Sequence, residues 1–151
     1  MTVTETGSAP DSKFRYGNPT VDCDGAQLRK VCRQLATVLV VTGVVDDVNI
    51  DAITQHAKTC VIPEKPFVLD LSGVTAFCGH GIAIFEAVDE ACSAVGEDWS
   101  LIPSTQVSRT LRLCGIEDAV QTATSIPIAL HHFSDVAGER RSLLPILIKS
   151  A

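Results

Sequence analysis

The chain has 151 residues, 46% hydrophobic and 20% charged, which suits one packed domain and argues against wholesale disorder. Twelve Lys and Arg stand against 18 Asp and Glu, and the net charge of −6 argues against a cationic face for nucleic acid or for an anionic membrane. Six cysteines are present, but the nearest two, Cys23 and Cys32, are nine residues apart. Without a C-x-x-C there is no sign of a zinc ribbon, zinc finger or thioredoxin-type motif. No run approaches the roughly 18 apolar residues of a membrane helix, and Met1 to Gly25 carries no secretory apolar core. The expectation is a cytoplasmic protein whose free thiols mainly fill space, with no metal, no cofactor and no catalytic residues.

Residues 1–25 hold Pro10, Pro19, Gly7 and Gly17 among many hydroxyls and read as a flexible arm. Residues 26–33, with Leu28, Val31 and Cys32, fit an edge strand. The run from Thr37 to Thr42 is almost continuously β-branched and ends at Gly43, the pattern of a strand covered on both faces. The period then changes. Ile50, Ile53, Ala57 and Cys60 or Val61 fall at helical spacing, with Asp47 or Asn49 available as the N-cap, and Pro63 and Pro66 end that helix. Residues 67–71 predict a second buried strand, followed by a loop over 72–79. Ile82, Phe85, Val88, Cys92 and Val95 make one helical stripe, closed by Gly96.

Residues 99–102 predict the third central strand. Ser104 is placed to cap a helix whose apolar face is Val107, Leu111 and Cys114, and Gly115 followed by Ile116 suggests a left-handed C-cap with its hydrophobic clasp. Residues 125–130 read as a last short strand, kept to an edge by Pro127. The apolar tail Leu143 to Ile148 is expected to fold back on its own domain. Strands alternating with helices imply right-handed crossovers. The predicted fold is α/β, a four- to five-stranded mixed sheet with three helices packed on one face, with a domain over 26–136 and a tail over 137–151.

Three stretches carry a resemblance to a known family. They are Val40-Val41-Thr42-Gly43-Val44-Val45-Asp46, then Val68-Leu69-Asp70-Leu71-Ser72-Gly73-Val74-Thr75-Ala76-Phe77, then Ser108-Arg109-Thr110-Leu111-Arg112-Leu113-Cys114-Gly115-Ile116. In that order and spacing they resemble the STAS domain (sulfate transporter and anti-sigma-factor antagonist) over about residues 26–136. The resemblance implies a free-standing bacterial anti-sigma factor antagonist. Such a protein binds an anti-sigma factor, itself a serine kinase with an ATP-lid fold, and so releases a sigma factor to RNA polymerase. Phosphorylation of a Ser in a D-S-S-G-type bend abolishes that binding by placing about −1.5 to −2 charge on the docking surface.

Where the family has D-S-S-G, this chain reads Cys78-Gly79-His80-Gly81, so His80 stands at the phosphosite-equivalent position and the bend holds no hydroxyl. The implied partner-binding residues are Gly43, Asp46, Ser72, Cys78, Gly79, His80 and Gly81, with Ile82 and Ile84 as apolar contacts. Whether the protein forms a homodimer stays open.

Two rival readings remain. In one, Cys78 is a redox-sensitive thiol at a helix N-terminus. Cys114 is its tempting partner, but the reading puts Cys114 at the opposite end of the sheet; ten helical residues span roughly 15 Å, against the roughly 7 Å that a disulfide tolerates between Cα atoms. In the other, Cys78 and His80 form a small divergent enzyme site, with Asp46 or Asp70 approaching from strand ends.

Overall fold

In the computed structural model of the chain, residues 20–135 are described. Among them five strands form one sheet in the order β1 (Thr20–Cys23), β2 (Ala26–Cys32), β3 (Thr37–Val45), β4 (Phe67–Phe77) and β5 (Trp99–Ile102). The first two pairings, β1 with β2 and β2 with β3, are antiparallel, whereas β3–β4 and β4–β5 are parallel. The parallel pairs are joined by helices α1 (Ile50–Cys60) and α2 (Ile82–Val95), and β5 leads into α3 (Thr105–Leu113). The mixed α/β sheet expected from the sequence is present.

The continuous apolar character of β3 follows from its two coverings. Leu39, Val41 and Val45 face α1, α2 and α3 together with Leu69, Leu71, Ile53, Phe85, Val88 and Leu111. Val38 faces the other way, toward Val68, Ile102, Ala129 and Phe133. That second core belongs to a fourth helix. Residues 126–135 are helical, so the strand expected over 125–130 is not formed, and the fourth helix packs on the face opposite the other three. Ile126, Ala129, Leu130 and Phe133 lie at helical spacing on the buried side. Ser125 Oγ accepts from the Ile128 backbone N–H at 3.4 Å, and Pro127 sits in the first turn, where a missing N–H costs nothing.

Two further boundaries differ from expectation. The strand read as residues 67–71 runs on to Phe77, converting most of the expected loop over 72–79 into strand, with register shifts against β3 at Val40/Thr42 and Gly43/Val44. Thr20–Cys23, counted with the arm, pairs with β2 as an edge strand. The tail, including Leu143 to Ile148, lies outside the described residues.

The caps follow the local sequence. Ser104 Oγ accepts from Val107 N–H at 3.3 Å. After α2, Glu97 N–H donates to Cys92 O at 2.9 Å; after α3, Ile116 N–H donates to Leu111 O at 3.0 Å, as a hydrophobic clasp requires. Asn49 precedes α1 but makes no capping bond. It is wholly buried, its Nδ2 donates to the carbonyls of Val44 (2.8 Å), Cys23 (3.0 Å) and Asp24 (3.2 Å), and its Oδ1 accepts from Asp46 N–H at 3.0 Å. This one side chain joins the β1–β2 turn to the end of β3 and the start of α1. Nearby, Gly43 has φ +97°, and a Cβ there would meet the Gly25 carbonyl at 2.4 Å, so only glycine lets β2 and β3 approach this closely.

Asn49→Ala leaves several buried backbone groups unsatisfied. It is expected to lower unfolding free energy by about 2–4 kcal/mol in chemical denaturation, since each orphaned group costs about 1–3 kcal/mol. A loss below about 0.5 kcal/mol, the usual range for an unremarkable surface site, contradicts the role given to Asn49.

Candidate functional site

The carboxyl ends of β3 and β4 carry the two segments that build the site. β3 ends in the turn Asp46 to Asn49. β4 ends at Phe77, and the N–H of the next residue, Cys78, donates to Val45 O at 3.1 Å, fixing the two exits side by side. A 3₁₀ turn, Gly79–Gly81, follows and leads directly into α2, with Gly81 N–H donating to Cys78 O at 3.0 Å.

Asp46 and Asp47 divide the work of the β3 exit. Asp46 Oδ1 accepts from Val48 N–H at 3.0 Å, and the Asp46 carbonyl accepts from Asn49 and Ile50, so Asp46 shapes the turn. Asp47 reaches across instead. Its Oδ1 lies 2.7 Å from His80 Nδ1, and Cys78 Sγ is 3.8 Å from the same oxygen. The side chains of His80 and Asp47 are 82% and 71% exposed, so water competes with their pairing and it contributes little to stability. Beside them Val48 is 73% exposed, an apolar side chain held outward by the turn. Asp47 and Val48 are the site residues that sequence reasoning missed. The signal available was only their position directly after Asp46.

The expected residues separate into those at this edge and those elsewhere. Gly43, Asp46, Cys78, Gly79, His80, Gly81 and the half-buried Ile82 lie along the exits of β3 and β4. Ile84 is fully buried in the core and is unavailable to a partner, since residues two apart on a helix point to nearly opposite sides. Ser72 stands five residues before Phe77, roughly 16 Å back along the strand; its N–H and Oγ both bond to Asp70 Oδ1, at 3.0 and 2.7 Å. It lines a separate shallow cleft with Thr75, Pro103 and Ser104. Asp70 pairs with Val40 and Ile102 in mid-sheet, so it does not approach His80 as a strand-end acid would.

Cys114 also departs from expectation. It is exposed, whereas the α3 stripe placed it in the core. Nor does α3 carry it to the far end of the sheet. The hydroxyl of Thr110 lies 3.4 Å from the carbonyl of Phe77, the residue before Cys78, and Cys114 follows one helical turn later. Because β4 is six residues longer than expected, α3 crosses alongside its extension instead of returning past its start. Cys92 does belong to the core, and burial, reinforced by Asp89, Glu97 and Asp98, pushes its thiol up to about 12. Burial likewise raises Cys60. Both are inert as thiolates near neutral pH.

Among the described residues no group of three His, Cys, Asp or Glu side chains is arranged to hold a metal ion, and no helix is long and apolar enough to cross a membrane.

The chain belongs to the STAS domain family, which matches residues 27–130. It is similar to osmosensory protein A of Mycobacterium tuberculosis (strain ATCC 25618 / H37Rv), with 36% identity over 155 residues covering 99% of this chain and 98% of the relative. Among solved structures it resembles an anti-sigma factor antagonist from Mycobacterium paratuberculosis, at 20% identity and a TM-score of 0.66, covering 74% of this chain and 96% of that one. It also resembles an anti-sigma-factor antagonist (STAS) domain protein from Planctomyces limnophilus, at 14% identity and a TM-score of 0.60, covering 71% and 97%. At those identities the structural matches establish the fold.

The two glycines of the bend make different demands. A Cβ on Gly81 would lie 2.4 Å from the Phe77 ring, which stacks on Phe85 with centroids 5.6 Å apart, whereas a Cβ on Gly79 meets nothing within 4 Å. Gly81→Ala is therefore expected to cost about 1–3 kcal/mol through overpacking, and Gly79→Ala less than about 0.5 kcal/mol, both read by chemical denaturation. Equal costs would contradict this account of the bend.

Proposed function

We propose that the protein is an anti-sigma factor antagonist. It is a non-catalytic cytoplasmic regulator that binds an anti-sigma factor of the serine-kinase type and thereby frees a sigma factor for transcription. The observation that carries this reading is the surface at the carboxyl edge of the sheet. There an outward-facing Val48 and an exposed Asp47–His80 pair sit on a turn and a bend that are themselves tightly fixed. A rigid rim bearing one apolar anchor and a directional polar pair is a protein-docking surface, in which a few anchors supply most of the affinity. Family membership and the similarity to anti-sigma factor antagonists support the same assignment.

The docking residues are Gly43, Asp46, Asp47, Val48, Cys78, Gly79, His80 and Ile82, with the buried Gly81 shaping the bend beneath them. The geometry gives no support to a Cys–His enzyme. Asp47 Oδ1 holds His80 Nδ1 and also accepts from Cys78 Sγ at 3.8 Å, so the thiol is directed at the carboxylate, whereas a Cys–His pair needs it directed at the imidazole.

The bend has no hydroxyl, yet it keeps the charge sensitivity that a phosphate would exploit. His80→Glu sets a second carboxylate against Asp47 and places an anion on the docking rim. It is expected to weaken partner binding at least about tenfold, or about 1.4 kcal/mol, in a pull-down titration or calorimetry. Val48→Asp should do the same. Unchanged affinity in both variants removes this surface as the docking site.

A second reading is favoured by one observation, the approach of α3 to Phe77 through Thr110, which brings exposed Cys114 to the same end of the molecule as Cys78. In it, peroxide converts Cys78 to a sulfenic acid that blocks the rim. Peroxide then weakens partner binding for the unaltered protein and leaves Cys78→Ser unaffected. Identical response of the two proteins dismisses it.

A further inference from the structure

The four histidines of the chain present their rings differently. His56 is half-buried on α1, and His132 is half-buried with its ring 6.2 Å from that of Phe133. His131 is exposed but turns Nε2 toward Asp135 Oδ2, at 3.4 Å. His80 is similarly exposed and is held by the other nitrogen, with Nδ1 2.7 Å from Asp47 Oδ1.

That difference decides which nitrogen is reactive. An ionised carboxylate only accepts hydrogen bonds, so the proton of the neutral His80 ring sits on Nδ1. The lone pair is then on Nε2, at the far edge of the ring, where it has no protein partner among the described residues. A Cβ placed on the preceding Gly79 would meet nothing within 4 Å, so the space beside the ring is open. Water competes for an exposed pair, but the pair joins a turn held by Asn49 to a bend held by Phe77, which keeps the two side chains within reach.

We propose that His80 Nε2 is a phosphoryl-acceptor site whose donor is a nucleoside triphosphate, and that Asp47 is its positioning residue. The Nε2 lone pair forms a bond to the γ-phosphorus. The bond from that phosphorus to the β,γ-bridging oxygen breaks, and the nucleoside diphosphate leaves with its electron pair. No proton has to leave Nε2. The ring becomes cationic, and Asp47 faces that charge across the Nδ1–H, as the carboxylate of a carboxylate–imidazole pair does. The added phosphoryl group brings up to about two negative charges to a bend that has no hydroxyl. Its effect on partner affinity rests on the docking-rim reading, whereas the transfer itself does not.

Phosphoramidate, which passes its phosphoryl group to an imidazole with loss of ammonia, tests the acceptor without a partner. In the full-length protein, peptide mapping under alkaline conditions, where phosphohistidine survives, is expected to show His80 modified at least about tenfold faster than His131. Phosphorus NMR is expected to place the group on Nε2. Asp47→Asn, an exposed change whose folding circular dichroism verifies, is expected to slow modification of His80 about tenfold and to leave His131 unchanged. The sign is diagnostic, because removing an anion eases the approach of an anionic donor, so a carboxylate that was merely a neighbour would give faster modification in the variant. Three results each overturn the proposal: phosphorus on Nδ1 of His80, a rate at His80 no greater than at His131, or an undiminished rate in Asp47→Asn. Such a failure leaves the docking-rim reading untouched, since that reading is tested by partner affinity.

Discussion

A single buried amide sets the geometry on which the site depends. Asn49 has no solvent of its own and distributes its hydrogen bonds among Val44, Cys23, Asp24 and Asp46. A buried amide left without partners is costly, so the arrangement in which all of them converge is strongly preferred over neighbouring ones. Three consequences follow from that convergence. The edge hairpin is tied to the parallel part of the sheet, the turn from Asp46 to Asn49 takes one shape, and α1 starts at a fixed place. Asp47 and Val48 sit within that turn and inherit its rigidity, although neither is itself buried.

The bend on the neighbouring strand is fixed by different means. Phe77 occupies the space that a side chain on Gly81 would need, and its stacking on Phe85 anchors the bend to α2. The Cys78 N–H bond to Val45 O then closes the gap between the two exits. Two segments distant in sequence are thus held side by side before any partner arrives, so binding need not repay their ordering. Rigidity beneath and exposure above are what a docking rim requires. They also explain why a charge placed at His80 would act locally, against Asp47 and whatever faces it, without disturbing the core.

Much of the fold was legible because burial leaves a period in the sequence. The β-branched run at Thr37–Val41 announced a strand covered twice, and the stripes of α1, α2 and α3 announced one helical face each. The misreadings have physical causes. β1 carries a single exposed valine, so it shows no burial pattern to detect. The extension of β4 is mostly exposed, and Ser72, Gly73 and Thr75 within it resemble a loop, although Val74 between them is buried. In residues 126–135, β-branched Ile126 and Ile128 beside a proline suggested an edge strand, while the spacing of Ala129, Leu130 and Phe133 that marks a helix became decisive only with the second core.

The site was legible in part. Cys78, Gly79, His80 and Gly81 stood out through their likeness to a family bend, but the contact of His80 with Asp47 joins residues 33 apart and depends on the register of β3 against β4. That register contains two shifts, which no local pattern encodes. Ile84 is read with Ile82 as an apolar contact, although the 100° turn per residue sends it into the core.

The account turns on whether the rim formed by residues 46–49 and 78–82 is where a partner docks. Backbone chemical-shift mapping during titration with the proposed partner, an anti-sigma factor, tests this directly. The expected result is perturbation concentrated at Asp47, Val48, His80 and Ile82, with the face carrying residues 126–135 unchanged. Perturbation confined to that opposite face, or to the shallow cleft around Ser72 and Ser104, would contradict it.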